Sequence, residues 1–196
     1  QRIAEAITLT GQLTIRWAEY SLNAYLNKVL KTKTWRDYVI AIDTDSLYVS
    51  LDELVQKVQP NNPIDFLDKV CQEALEPALE AAYADLYSML GGVDNRMVMK
   101  REAIADRALW TAKKRYIMNV HDNEGVRYAE PKLKIMGIEA IKSSTPAPCR
   151  KALKEIFHVI MKEDEKSVQT AIEQFKNYFK TLEPDEVAFP RGVTQV

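Results

Sequence analysis

Asp43 and Asp45 flank a single threonine in the run Asp43-Thr44-Asp45-Ser46, which separates two β-branched and aromatic stretches, Trp35 to Ile42 and Ser46 to Ser50. Carboxylates at i and i+2 on a tight turn repel each other, and such a pair is tolerated when a divalent cation lies between or beside them. Hard oxygen donors suit Mg²⁺ or Mn²⁺, which keep part of their water shell and take one or two carboxylates plus substrate phosphates. The chemistry that uses such a pair is in-line phosphoryl transfer, with one ion activating an attacking hydroxyl and the other stabilising a leaving pyrophosphate. An EF-hand loop starting at Asp43 would need Gly at its sixth position and Glu at its twelfth, where Tyr48 and Leu54 stand. An aspartic-protease loop would need Gly in place of Asp45. A solvated turn, which Asp and Thr favour, stands as the plainer reading beside the metal site.

A second group is Trp110-Thr111-Ala112-Lys113-Lys114-Arg115-Tyr116, three consecutive cations bounded by aromatic residues. Placed at the start of a strand, Lys114 and Tyr116 would share one face and Lys113 and Arg115 the other, so one pair could grip a sugar–phosphate backbone. The plainer alternative is a charged edge that guards a strand against aggregation.

Charge supports a polyanion partner locally, not globally. The formal net charge is −1, from 27 basic and 28 acidic residues. Residues 43–99 hold 11 acidic and 3 basic side chains, whereas residues 100–151 hold 12 basic and 6 acidic ones. An acidic segment followed by a basic one fits a protein that holds cations beside a polyanion, and equally fits a solvated acidic helix before a basic sheet edge. Cys71 and Cys149 have no metal-type spacing, and His121 and His158 lie near neither, so zinc sites and Cys/His catalysis lose their usual ligands. No apolar run approaches the roughly 20 residues that cross a bilayer, so no membrane partner and a cytoplasmic location are expected.

Periodicity indicates which elements position these residues. Ile3, Ala6, Ile7, Thr10, Leu13, Trp17, Tyr20 and Ala24 recur at helical spacing and predict a long amphipathic helix over residues 2–31. A β-hairpin with an acidic tip follows, then a short helix over 52–58, and a second long helix from Ile64 to Met89 that ends at Gly91-Gly92 and is expected to kink at Pro77. Strands are predicted over 96–105, 114–120 and 126–136, the last two joined by Asp122-Asn123-Glu124-Gly125. Ser143 to Pro146 should cap a helix over 148–161, followed by another over 165–182. The last fourteen residues show no period. The order predicts an α+β fold, an antiparallel sheet covered by helices on one face, with a helical hairpin beyond it.

Taken together and in this order, these segments resemble the family B DNA polymerases of T-even-type bacteriophages. Asp43-Thr44-Asp45-Ser46-Leu47-Tyr48-Val49-Ser50 resembles the family's motif C, and Lys113-Lys114-Arg115-Tyr116 its Lys-Lys-x-Tyr element. Arg101 to Ala105, Arg127 to Gly137 and Lys142 to Pro146 resemble the phage subgroup. The resemblance implies a palm over residues 1–145, a palm sheet with helices on one face, and the start of a helical thumb over 146–196. It implies template-directed addition of deoxynucleotides to a primer 3′ end, with Mg²⁺ or Mn²⁺ as cofactor and primer–template DNA and dNTP as partners, in the cytoplasm of a bacterial host.

By the same resemblance, Asp45 coordinates the catalytic metals, Asp43 supports it, and Glu102 is an acidic residue near that site. Thr44, Lys113, Lys114, Arg115 and Tyr116 would contact DNA around the primer end, and Lys142, Ser143, Ser144 and Thr145 the template or duplex. There are departures from the family pattern. Ala41-Ile42 stand where the family usually shows Tyr-Gly, and Lys100 stands where relatives can carry an acid. The motif A aspartate and the cationic fingers helix lie N-terminal to motif C in the family, and neither is among the residues before Asp43. Without that aspartate two metals cannot be clamped at about 4 Å. The chain is therefore expected to be a fragment or split subunit, inactive alone, completed by an N-terminal polymerase segment. Gln1, which stands inside a helical pattern, fits a piece of a longer chain, and uncovered apolar surface is expected to favour self-association. The alternative is a noncatalytic DNA-binding or protein-interaction module on the same core.

Overall fold

Apolar residues at three-to-four spacing draw Arg2–Leu30 into one helix, α1, which buries Ile15, Ala18, Leu22, Leu26 and Leu30. The computed structural model describes residues 2–92 and 94–192 and divides into two units between Ile104 and Ala105.

In the first unit, only the C-terminal half of α1 is covered; Ile3, Ile7, Leu9 and Leu13 are exposed. The strands β1 (Val39–Asp43) and β2 (Ser46–Val49) pair antiparallel, with Asp43 opposite Ser46. The register shifts between Val39 and Ala41, so Ile40 bulges out of the ladder. A short helix, α2 (Asp52–Val58), follows, and then a helical rod made of α3 (Pro63–Val70), a π-turn (Cys71–Leu75) and α4 (Glu76–Met89). Asn62 caps the rod, accepting the N–H groups of Ile64 and Asp65. At the other end Gly91 adopts φ +63, and the N–H of Gly92 returns to the Tyr87 carbonyl at 3.1 Å, a Schellman closure.

The rod was expected to be disturbed at Pro77. The disturbance falls one turn earlier, where the Glu76 N–H reaches back to the Cys71 carbonyl. Pro77 has no N–H to continue an α-helical ladder, and the widened turn absorbs the loss before the proline instead of at it. Burial pushes the Cys71 thiol in this turn up to about 11, so it behaves as apolar filler. The unit's core joins Ala18, Leu22, Leu26 and Leu30 of α1 to Tyr38, Val39, Leu75, Leu79 and Tyr83, and the Trp17 indole donates to the Ala82 carbonyl at 2.8 Å.

Strand β3 (Ala103–Ala112) leads into the second unit, where it joins β4 (Arg115–Asn123) and β5 (Val126–Met136) in a three-stranded sheet of order β3-β4-β5. The predicted strand over 96–105 is displaced, because the residues before Ala103 spend their polar groups elsewhere. The Arg101 N–H donates to Glu76 Oε1 at 3.0 Å, its guanidinium meets Asp68 at 2.5 Å, and Lys100 meets Glu76 at 2.9 Å. The β4–β5 hairpin closes on Glu124 and Gly125, both at positive φ, as a type I′ turn requires. Its register shifts between Val120 and Asp122, alongside Pro131, which cannot donate to a ladder.

Beyond β5 come a 3-10 turn (Glu139–Ile141) and the helices α5 (Ala147–Lys162), α6 (Glu165–Phe179) and α7 (Pro184–Val187). Ile117, Ile138, Ala140, Phe157 and Met161 form this unit's core, so α5 packs on the same body as the sheet. The expected side-chain cap from Ser143 to Thr145 is not made; Pro146 occupies the cap position without a side-chain bond. The last fourteen residues, read as aperiodic, include α7, held by reciprocal bonds between Glu183 and Glu186. The chain is α+β, with β1–β2 and β3–β5 as separate ladders. Among the described residues, no helix is long and apolar enough to cross a membrane.

Candidate functional site

The acidic tip is held from below by a buried amide. Asn23, 3% exposed on α1, accepts the backbone N–H groups of Tyr38 and Val39 at 2.7 and 3.0 Å, fixing where β1 begins. The Tyr38 hydroxyl donates to Glu53 at 2.9 Å, and Arg36 and Lys57 meet the same carboxylate at 2.5 and 2.7 Å. Hydrogen bonds from Lys57 and Tyr38, reinforced by Arg36, hold Glu53 down at about 2 against the opposing effect of desolvation.

At the apex, Thr44 adopts φ +54, a conformation that a β-branched residue rarely takes. The Asp45 N–H closes on the Asp43 carbonyl at 2.7 Å, the Ser46 hydroxyl donates to the same carbonyl at 3.0 Å, and the Thr44 hydroxyl donates to Asp43 Oδ1 at 3.1 Å. The turn is γ-like and tight, with Asp43 half-buried and Asp45 exposed. The backbone strain falls on a non-glycine residue between two carboxylates.

Glu102 is exposed just before β3. Among the described residues, no three His, Cys, Asp or Glu side chains gather into a metal-holding group. Asp43, Asp45 and Glu102 thus form no closed cage; the hairpin offers two hard oxygen donors, a partial set that fits an ion whose remaining ligands are water and phosphate.

In the second unit, Lys113 and Lys114 are not the start of a strand. They form the reversal between β3 and β4, with Lys114 at φ +61, so the expected alternation of faces does not pass through them. Gly137, at φ +64, packs directly on the Lys114 carbonyl, leaving no room for a Cβ. Tyr116 is 4% exposed and lies against Trp110, ring centroids 5.7 Å apart.

Arg115 donates to the Gly137 carbonyl at 3.1 Å and pairs with Glu139, and Lys142 meets the same Glu139 oxygen at 3.2 Å. Glu139 is held below the usual carboxylate range by its own backbone N–H and by Lys142, despite opposing desolvation. Ser143 and Ser144 are exposed, while Thr145 is buried. Two segments distant in sequence, 113–116 and 142–145, thereby form one cationic edge. Sequence reasoning missed Glu139, Gly137 and Arg150, which build that edge. A cation in the first turns of a helix runs against the macrodipole preference, and Arg150 could have been noticed on that ground.

The α+β fold carries its acidic hairpin and its cationic edge on the segments that support the family B polymerase resemblance. No family model matches the chain. It is 44% identical to the DNA-directed DNA polymerase of Escherichia phage RB69 over 178 residues, 84% of this chain and 20% of that protein. It is 38% identical to the DNA-directed DNA polymerase of Enterobacteria phage T4 over 201 aligned positions, 95% of this chain and 22% of that one. The resemblance read from the motifs therefore holds: the chain is related to a segment of the T-even-type phage DNA polymerases and spans about a fifth of the length of these relatives.

Proposed function

We propose that the chain is part of a template-directed DNA polymerase, with residues 1–145 as the C-terminal part of the palm and 146–196 as the first part of the thumb. The observation that carries this reading is the strained Asp43-Thr44-Asp45 apex in a chain 44% identical to a phage polymerase. A divalent metal pair, Mg²⁺ or Mn²⁺, supplies Lewis-acid activation of the primer hydroxyl and charge neutralisation at the leaving pyrophosphate. Asp45, exposed at the tip, offers its carboxylate to that pair, and Asp43, oriented by the Thr44 hydroxyl, supports it. Glu102 adds negative potential nearby. Thr44 contacts the primer end.

Lys113, Lys114 and Arg115 hold the primer backbone while Tyr116 anchors their turn through Trp110, and Lys142, Ser143 and Ser144 hold the duplex, with the buried Thr145 closing their loop through its N–H to the Lys142 carbonyl. The whole enzyme acts on primer–template DNA and dNTP in the cytoplasm of the infected cell, and these 196 residues alone, lacking the motif A aspartate and the fingers, extend no primer. The exposed apolar positions on α1 favour self-association until an N-terminal segment covers them.

The test is complementation. A polypeptide bearing the motif A aspartate and the fingers is mixed with this chain and assayed for Mg²⁺-dependent primer extension. Extension is expected from the mixture and from neither part, and Asp45→Ala should abolish it. Extension that survives Asp45→Ala ends the catalytic reading in favour of a noncatalytic DNA-holding module.

A further inference from the structure

Nη1 of Arg150, on α5, donates to the backbone carbonyls of Ser143 and Thr145 at 3.0 Å each and reaches that of Lys142 at 3.4 Å. The Thr145 N–H closes the same loop on the Lys142 carbonyl at 3.1 Å. On its other side the loop is fastened by Lys142, whose ammonium shares Glu139 with Arg115 of β4. One guanidinium thus gathers three main-chain acceptors to one side, and Lys142, Ser143 and Ser144 remain exposed.

A surface that meets a polyanion gains twice from this arrangement. Carbonyl oxygens, which repel phosphate, are occupied by an internal cation. The loop is also ordered before binding, so less conformational entropy is lost when the ligand arrives.

We propose that Arg150 is a positioning residue for a phosphodiester-binding loop: by capturing the carbonyls of Lys142, Ser143 and Thr145 it presents Lys142, Ser143 and Ser144 to the backbone of duplex nucleic acid. This rests on the reading that the chain holds DNA. Arg150 itself acts through the loop and touches no phosphate.

The test uses Arg150→Lys, which keeps the charge but loses the planar fork of donors. Binding of a fluorescent primer–template duplex is titrated across salt concentrations for the 196-residue chain. Arg150→Lys is expected to weaken binding about tenfold with an unchanged slope of log K against log salt, and to speed amide hydrogen exchange at Ser144 and Thr145 without DNA. Should Arg150→Lys bind as tightly as the parent while Arg150→Ala lowers the slope by about 0.9, the value of one phosphate contact, Arg150 grips DNA directly and the proposal is overturned.

If the parent chain binds no duplex, the DNA-holding reading and this inference fall together. Tight parent binding with no effect of Arg150→Lys removes the inference alone. Should the lysine variant not fold, exchange in the parent decides: rapid exchange of the Thr145 amide in the native chain overturns the proposal.

Discussion

The side-chain oxygen of Asn23 accepts the backbone N–H of Val39 at 3.0 Å, so the first residue of the acidic hairpin is tied to the C-terminal half of α1. The same oxygen takes the Tyr38 N–H, leaving both donors buried and satisfied. Asn23→Ala would strand them away from water, at about 1–3 kcal/mol for a buried donor. We expect urea unfolding to show a loss of about 3 kcal/mol. A loss below about 1 kcal/mol would mean that water replaces the amide.

Glu53 gives the fold a pH dependence with a definite sign. Its carboxyl, bonded by Lys57, Tyr38 and Arg36, is held down at about 2 in the folded chain, against an ordinary value near 4.5. A lowered folded value means that the stabilisation is fully present above about 4.5 and is lost as pH falls from there towards about 2. Glu53→Gln should flatten the stability profile across that acid window while leaving its shape above pH 6 unchanged. Parallel profiles for the two proteins below pH 4 would refute the assignment.

Two carboxylates without a phosphate make a poor cage for a hard cation. Mn²⁺ titration followed by water proton relaxation should give a dissociation constant on the order of 1 mM, and Asp43→Asn with Asp45→Asn should remove that binding. Submicromolar affinity would reveal further ligands.

The parts of the fold that were legible in the sequence are those ruled by local pattern. Helical spacing in α1 and in the rod, Gly91 at the rod's end and Glu124-Gly125 in the last hairpin each announce their conformation, because the cause lies within a few residues of the effect. The start of β3 was misplaced because Arg101 is tethered to Asp68 and Glu76, partners that no window around residue 101 contains. Alternation breaks at Lys114 because this residue turns the chain between β3 and β4 at φ +61. In the site, the paired aspartates could be read directly, whereas Glu139 and Arg150 bridge segments whose meeting is a product of folding. Helix α7 was readable in principle, since Glu183 and Glu186 flank Pro184 at capping-box spacing.

The widened turn at Cys71–Leu75 has an angular consequence for the rod. In an unbroken α-helix Asp68 and Glu76 would point about 80° apart; one inserted residue brings that to about 20°. Both acids can then face Arg101, one taking its guanidinium and the other its main-chain N–H. A one-residue deletion between Gln72 and Leu75 would convert the widened turn to regular α-helix and leave these carboxylates seven residues and about 20° apart, so Arg101 should keep both partners.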